Sequence, residues 1–286
     1  MYSIAGSSVP PIAVLDLGAR DIGDRREPYA DLPSLVPGSR VIGVDAAQDG
    51  EHPDGWESRR AVIARGAGRR KFYHTTWAMA DSLYPLNEWL LHGYCGLEPL
   101  RVVGSEEVQT ITLDQFTGPL CRPVHLLRAD IQGAELEAFE GGKETLADVL
   151  VVVTEVAYAP VYIGGPLFRD IDGALSERGF AFYGPLYSAF WHERPFVMEG
   201  QRFRQRSPMM PGGRMLWGDV IYVRTDLDSL DGDALRRLAC LAHLYGLFTL
   251  AASCMDRYAG RSAAERYLSG ILNDDENGPD DEKETE

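Results

Sequence analysis

The stretch that decides the fold is LLRADIQGAELEAFEGG, residues 126–142. Its first four residues are apolar apart from Arg128, which is typical of a short buried strand. Asp130 follows in a sharp turn, and a helix is predicted to begin near Gly133 and to end at a Gly-Gly pair. An acid at the carboxyl end of a central strand, facing the start of a helix, lies where open α/β sheets bind ligands.

A similar unit lies near the start of the chain. Residues 12–15 are apolar and run into Asp16 and Gly18, and residues 40–44 form a second apolar strand that ends at Asp45. This is the layout of a nucleoside-binding half-site, in which the first loop wraps the ligand and the second acid accepts hydrogen bonds from ribose. The alternative is that the two acids cap turns or helices.

The loop after the first strand argues against a dinucleotide. Residues 18–23 read GARDIG, which lacks the middle glycine of the GxGxxG fingerprint. The neighbouring Arg20 and Asp21 would also crowd a pyrophosphate. This favours S-adenosylmethionine over NAD, because S-adenosylmethionine carries no phosphate.

Strand and helix patterns alternate along the rest of the chain and predict a doubly wound α/β sheet. The predicted strands are residues 61–64, 71–76 (the return strand of a hairpin), 108–113, 148–156 and 219–224, and the predicted helices are residues 167–178, 231–250 and 251–271. Residues 188–217 have no clear pattern and are interpreted as mobile.

Composition narrows the class of protein. The net charge is −15, and the last fourteen residues hold eight acids and one lysine, so the chain lacks the basic footprint of a nucleic-acid-binding protein. No apolar run reaches the roughly 18 residues of a membrane span, and the first eleven residues do not resemble a secretory signal. Four widely spaced cysteines are interpreted as reduced thiols of a cytoplasmic protein.

Several segments, in this order, resemble the FkbM family of S-adenosylmethionine-dependent methyltransferases. They are Asp16-Leu17-Gly18-Ala19, Asp45, Ser82-Leu83 with Asn87, Thr112-Leu113-Asp114, and RADIQGAE at 128–135. The resemblance covers roughly residues 11–224. It implies a mostly parallel, seven-stranded, Rossmann-like methyltransferase sheet with added C-terminal helices. Arg128 and Gln132 stand where the family usually has lysine and glutamate.

The domains expected from this resemblance are a methyltransferase domain over residues 1–225 and a helical extension packed on it over residues 226–272. A disordered acidic tail is expected over residues 273–286, because it contains almost no apolar side chains. Apolar residues at helical spacing in the extension would cover the core or form a homodimer face.

The strand ends and the resemblance together predict the site. The expected cofactor contacts are Asp16, Gly18, Ala19, Arg20, Asp45, Ala61, Ser82 and Asp130. Asp130 is expected to contact cofactor or acceptor and Glu155 to act as base or to bind the acceptor, with His74 or His192 as other candidate bases. The structural alternatives are an ion pair of Glu155 with Arg128 and ordinary surface histidines. No metal site is predicted, since no ligand spacing singles out the carboxylates.

The function expected from the sequence is methyl transfer from S-adenosylmethionine to a hydroxyl group of a small-molecule or glycan acceptor. Two alternatives stay open. One is a non-catalytic, methyltransferase-like binding module, because Gln132 replaces an acid. The other is a nicotinamide-dependent oxidoreductase, which the missing GxGxxG disfavours.

Overall fold

The computed structural model describes residues 3–4, 7–19, 27–47, 56–120, 123–194 and 213–276. Its strands are β1 (Ser3–Ile4), β2 (Ser7–Ser8), β3 (Ala13–Leu17), β4 (Arg40–Asp45), β5 (Glu57–Arg60), β6 (Val62–Ile63), β7 (Gly68–Thr75), β8 (Val102–Ile111), β9 (Leu126–Ala129), β10 (Val151–Ala157), β11 (Phe180–Trp191) and β12 (Arg214–Arg224). Its α-helices are α1 (Leu32–Leu35), α2 (Glu88–Leu91), α3 (Leu113–Thr117), α4 (Glu135–Glu140), α5 (Lys143–Asp148), α6 (Phe168–Ser176), α7 (Gly232–Leu244), α8 (Phe248–Ala259) and α9 (Arg261–Glu276).

Seven strands form the central sheet, in the order β11-β12-β10-β9-β3-β4-β5. Strands β3, β9 and β10 pair in parallel, as do β4 and β5, while β12 runs antiparallel to both β10 and β11. The central strands β3, β9 and β10 are almost completely buried, because helices cover both faces of such a sheet and leave little room for polar residues. The predicted α/β class and the seven-stranded, mostly parallel sheet with C-terminal helices are confirmed.

The predicted third strand is present as β6 (Val62–Ile63), but it does not join the central sheet. Its position in the central sheet belongs to β5, whose sequence Glu-Ser-Arg-Arg is polar because it lies at the exposed edge. Val62 and Ile63 instead form β6 of a separate three-stranded sheet, in the order β6-β8-β7. The predicted hairpin was also wrong, since β7 pairs antiparallel with β8, which follows it, and not with β6.

Two features beyond the parallel strands also differ from the prediction. Of the segment interpreted as mobile, residues 188–191 belong to β11 and residues 214–217 to β12, whereas residues 195–212 lie outside the described part. The C-terminal segment forms three helices and not two, because Gly246 (φ 71°) and Gly260 (φ 83°) adopt left-handed conformations that end α7 and α8.

The chain divides into two compact units. One comprises Ala13–Asp24 and Val41–Thr225 and contains both larger sheets. The other comprises Met1–Ile12, Arg25–Arg40 and Asp226–Glu286. Helix α9 runs to Glu276, so the first residues of the predicted tail are helical, and residues 277–286 lie outside the described part. Among the described helices, none has the length and apolar character needed to cross a membrane.

Asp114, from the Thr-Leu-Asp motif, is a structural anchor. Its carboxylate accepts hydrogen bonds from the backbone N–H groups of Glu144 (3.0 Å) and Thr145 (2.8 Å) and from the Thr145 hydroxyl (2.7 Å). These contacts satisfy otherwise unpaired N–H groups at the start of α5.

Asp114→Ala is therefore expected to lower the free energy of unfolding by about 2 kcal/mol, as measured by urea denaturation. Asp148→Ala is the matched control, because Asp148 is exposed at the other end of α5. Equal unfolding midpoints for the two variants would contradict the anchoring role.

Candidate functional site

The site lies where the strand order of the central sheet reverses. From β3 the chain continues to β4 and β5 on one side, and it later returns to β9 and β10 on the other. Ligands of doubly wound sheets bind at the carboxyl ends of the strands next to such a reversal. The two loops meet here, since Asp130 N–H donates to Leu17 C=O at 2.9 Å and Gly18 N–H donates to Val44 C=O at 2.8 Å.

Arg128 joins the two strands on either side of the reversal. In the parallel register of β3 and β9 it lies opposite Asp16. Its guanidinium donates to Asp16 Oδ1 at 3.2 Å and to Asp130 Oδ2 at 3.1 Å, and its side chain is 12% exposed. Arg128 also lies close enough to Glu155 for its charge to oppose the upward shift of the Glu155 pKa. Asp16 is buried beneath the site, where its carboxylate holds Arg128.

Three carboxylates gather at the same edge of the sheet. Asp130 follows β9, Glu155 lies on the neighbouring β10, and Asp219 lies opposite Glu155 on β12. One oxygen of each lies within 4.8 Å of the others, a separation at which they can share one cation, either a metal ion or an organic cation. With Asp16, which pairs with Arg128, four carboxyl groups of the described residues lie in this part of the sheet and make it strongly acidic.

Glu155 differs from its neighbours in having no hydrogen bond to its carboxyl group within the described part of the chain. Desolvation raises the pKa of Glu155 well above its ordinary value, and the nearby Asp130, Glu135 and Asp219 raise it further. A carboxylate of raised pKa is a stronger base once it has lost its proton, which makes Glu155 a candidate general base.

The turn after Asp130 is held by Glu135 at the start of α4. Its carboxylate accepts hydrogen bonds from the N–H groups of Ile131 (2.8 Å) and Gly133 (3.0 Å). Burial and the charge of Asp130 raise the pKa of Glu135 to about 7. The last acid of the sequence motif therefore fixes the shape of the turn.

The residues predicted to hold the cofactor form the other side of the site. Gly18 is left-handed (φ 83°) and Ala19 is buried, and both donate to Val44 C=O. Asp45 is half-buried at the end of β4 and accepts from Ala47 N–H at 2.7 Å, and the N–H of Ala61 donates to the backbone carbonyl of Asp45 at 3.1 Å. The structure thus brings these residues to the same sheet edge. Arg20 lies outside the described residues.

His74 lies in β7 of the three-stranded sheet, and Ser82 lies in the segment that follows it and pairs with Tyr73 of the same strand. The buried Ser82 hydroxyl donates to the backbone carbonyl of Gln132 at 2.5 Å, so it contacts the Asp130 turn directly. His74 lies between Asp81 (2.9 Å) and Glu106 (3.3 Å), and the hydrogen bond to Asp81 is the main cause that raises the pKa of His74. A histidine paired with two acids stays protonated to higher pH.

A cavity of about 420 Å³ has a lining that does not include Asp130, Glu155 or Asp219. Its lining includes Arg65, Arg69, Arg70, Tyr84 and Glu137. Each arginine is paired with a glutamate, and Glu137 accepts hydrogen bonds from both Arg70 and Tyr84. These contacts tie α4 to the three-stranded sheet.

Sequence reasoning missed Asp219 and Tyr162. An acid within the apolar run of β12 was the available signal for Asp219, since such a residue is rarely buried without a role. Tyr162 lies in a loop with no motif, and only the fold brings it to Gln132, where the two side chains are hydrogen-bonded at 2.6 Å.

The central sheet belongs to the Rossmann-like α/β class, in which ligands bind at the carboxyl ends of the strands. Residues 62–182 match the family model of the methyltransferase FkbM domain, somewhat less than half of the chain. Over this segment the chain is similar to the FkbM methyltransferase domain, which confirms the resemblance seen in the sequence. The match also supports S-adenosylmethionine as the cofactor.

The chain aligns with two solved structures at low similarity. Magnesium protoporphyrin IX methyltransferase from Synechocystis PCC 6803, with bound SAM, is 14% identical with a TM-score of 0.32, over 76% of this chain and 71% of that chain. Methyltransferase FkbM from Methylobacillus flagellatus KT is 14% identical with a TM-score of 0.35, over 74% of this chain and 43% of that chain. No curated protein matches the chain significantly.

Proposed function

We propose that this methyltransferase takes its methyl group from S-adenosylmethionine and transfers it to a hydroxyl group of a sugar, glycan or secondary metabolite. The observation that carries the proposal is the trio of Asp130, Glu155 and Asp219 at the reversal of strand order. An acidic edge suits a cofactor whose sulfur is positively charged, and it would repel the pyrophosphate of a nicotinamide dinucleotide. This disfavours the oxidoreductase alternative.

The residues present fit the cofactor. Asp45 provides a carboxylate at the strand end where ribose hydroxyls are bound in this kind of sheet. Gly18 has no side chain to block the approach of the ligand to the backbone. Asp16 acts as a positioning residue through its contact with Arg128.

The chain's residues would divide the reaction between them. The bound cofactor supplies an electrophilic methyl group, and much of the rate enhancement comes from holding it in line with the acceptor oxygen. Asp130 contacts the cofactor from the end of β9. Glu155 accepts the proton of the acceptor hydroxyl, since its desolvated carboxyl has a raised pKa and no competing hydrogen-bond donor in the described residues.

Calorimetry with S-adenosylhomocysteine tests the cofactor directly. The wild-type protein is expected to bind it, and Asp45→Ala is expected to weaken binding about tenfold or more, because two ribose hydroxyls lose a charged acceptor. Glu177→Ala, an exposed acid at the end of α6, is the matched control. Absence of binding to the wild type would refute the proposal, and binding without transfer to any of a broad panel of acceptors would favour the non-catalytic module.

A further inference from the structure

We infer that Gln132 is a positioning residue that joins the buried Tyr162 to Asp130, fixing Asp130 as a cofactor contact and leaving Glu155 as the base. The inference rests on the proposed function, because it assigns roles within the same site. It also assigns a role to Gln132, which stands where the family that this chain resembles usually has glutamate.

The hydrogen bonds form one chain with a defined direction. Gln132 Nε2 lies 2.6 Å from Asp130 Oδ1, and the Tyr162 hydroxyl lies 2.6 Å from Gln132 Oε1. A carboxylate can only accept, so the amide nitrogen must face Asp130 and the amide oxygen must face Tyr162. Tyr162 is 5% exposed, and its burial raises the pKa of the phenol well above the ordinary value, so it remains a donor.

The backbone at Gln132 is held in a costly conformation. Gln132 has a φ of 57°, the one left-handed non-glycine residue in the described part of the chain. Such a conformation costs about 1–2 kcal/mol for a residue with a Cβ atom and persists where surrounding contacts enforce it. Here Ser82 donates to the Gln132 carbonyl and Glu135 holds the N–H groups on either side. Backbone strain of this kind concentrates at functional sites.

The two neighbouring carboxylates thereby acquire different roles. Both oxygens of Asp130 accept hydrogen bonds, Oδ1 from Gln132 and Oδ2 from Arg128, which hold the carboxylate in a fixed orientation. A glutamate at position 132 could still accept from Tyr162, but it would place a second negative charge against Asp130 Oδ1 and could not donate to it. The amide is the group that satisfies both neighbours.

The test is a set of variants of the full-length protein titrated with S-adenosylhomocysteine in a calorimeter. Gln132→Met keeps the unbranched shape and removes both hydrogen bonds, and Gln132→Glu keeps the shape but removes the donor. Each is expected to weaken binding about tenfold, which corresponds to about 1.4 kcal/mol. Tyr162→Phe is expected to weaken binding about threefold. When Tyr162→Phe is added to Gln132→Met, it is expected to cause no further loss of affinity, because Tyr162 acts through Gln132.

Controls separate positioning from general damage to the fold. Tyr222→Phe removes another buried hydroxyl, which contacts Asp172, and is expected to change the melting temperature without changing affinity. Wild-type affinity in Gln132→Met, or additive losses in the Tyr162→Phe double variant, would overturn the inference. A wild-type protein that does not bind S-adenosylhomocysteine would instead refute the proposed function, so the two failures are distinguishable.

Discussion

Gly18→Ala is expected to lower the free energy of unfolding by about 3 kcal/mol or more and to abolish binding of S-adenosylhomocysteine. An added Cβ atom at this position would lie 1.8 Å from the backbone oxygen of Asp130 and 2.8 Å from its carbonyl carbon. Neither atom can rotate away, because both belong to the backbone of the β9 turn. The left-handed φ of 83° adds strain for any residue other than glycine.

The effect on binding follows from where the displaced turn lies. The backbones of Gly18 and Asp130 are in close contact where the strand order reverses. Separating them would move the loop after β3, which is expected to bind the cofactor, and the acidic edge of the sheet. Urea denaturation and calorimetry would measure the two effects. Gly66→Ala is the matched control, since nothing lies within 4 Å of its added Cβ atom, and its expected change in stability is within about 0.5 kcal/mol. A Gly18→Ala protein of wild-type stability would contradict the close approach.

The parallel core of this fold could be predicted because its strands are buried on both faces. Strands β3, β4, β9 and β10 each appear in the sequence as short apolar runs, and the acids that follow or end them mark the carboxyl edge. Asp45 and Asp130 were found in this way.

What could not be predicted depends on pairing between distant segments. Strand β5 is polar because it lies at an edge, so its sequence resembles a loop. Val62 and Ile63 have the composition of a central strand, but their partner is β8, some way along the chain, and no local pattern reveals that choice. The contacts of Gln132 with Tyr162 and Ser82 likewise join loops that only the folded sheet brings together.

Glu155→Gln is expected to have the largest effect on catalysis while making the protein more stable at alkaline pH. Loss of a general base typically lowers the rate by a factor of about 10²–10⁴. Binding of S-adenosylhomocysteine should change little, because this ligand is not the acceptor whose hydroxyl proton Glu155 removes. Release of S-adenosylhomocysteine in the presence of a panel of hydroxyl acceptors measures the first effect, and calorimetry the second.

The change in stability follows from the direction of the pKa shift of Glu155. Its pKa in the folded protein is raised above the ordinary value of 4.5, so between these two pKa values the folded state holds a proton that the unfolded state releases. The wild-type protein therefore loses stability as pH rises through this interval. Glutamine cannot ionise, so Glu155→Gln should exceed the wild type by about 1–3 kcal/mol at pH 8, with a smaller difference near pH 4.5.

Urea unfolding at several pH values tests whether Glu155 lowers the stability of the folded protein as pH rises. Glu144→Gln provides the control, because Glu144 is exposed and its substitution should leave the pH dependence unchanged. If the variant is more stable and has also lost methyl transfer, then Glu155 is a carboxyl group that destabilises the fold but is required for the reaction. A variant that transfers methyl groups at the wild-type rate would remove Glu155 as the base. His74 and His192, the other bases predicted from the sequence, would then be the remaining candidates for the general base.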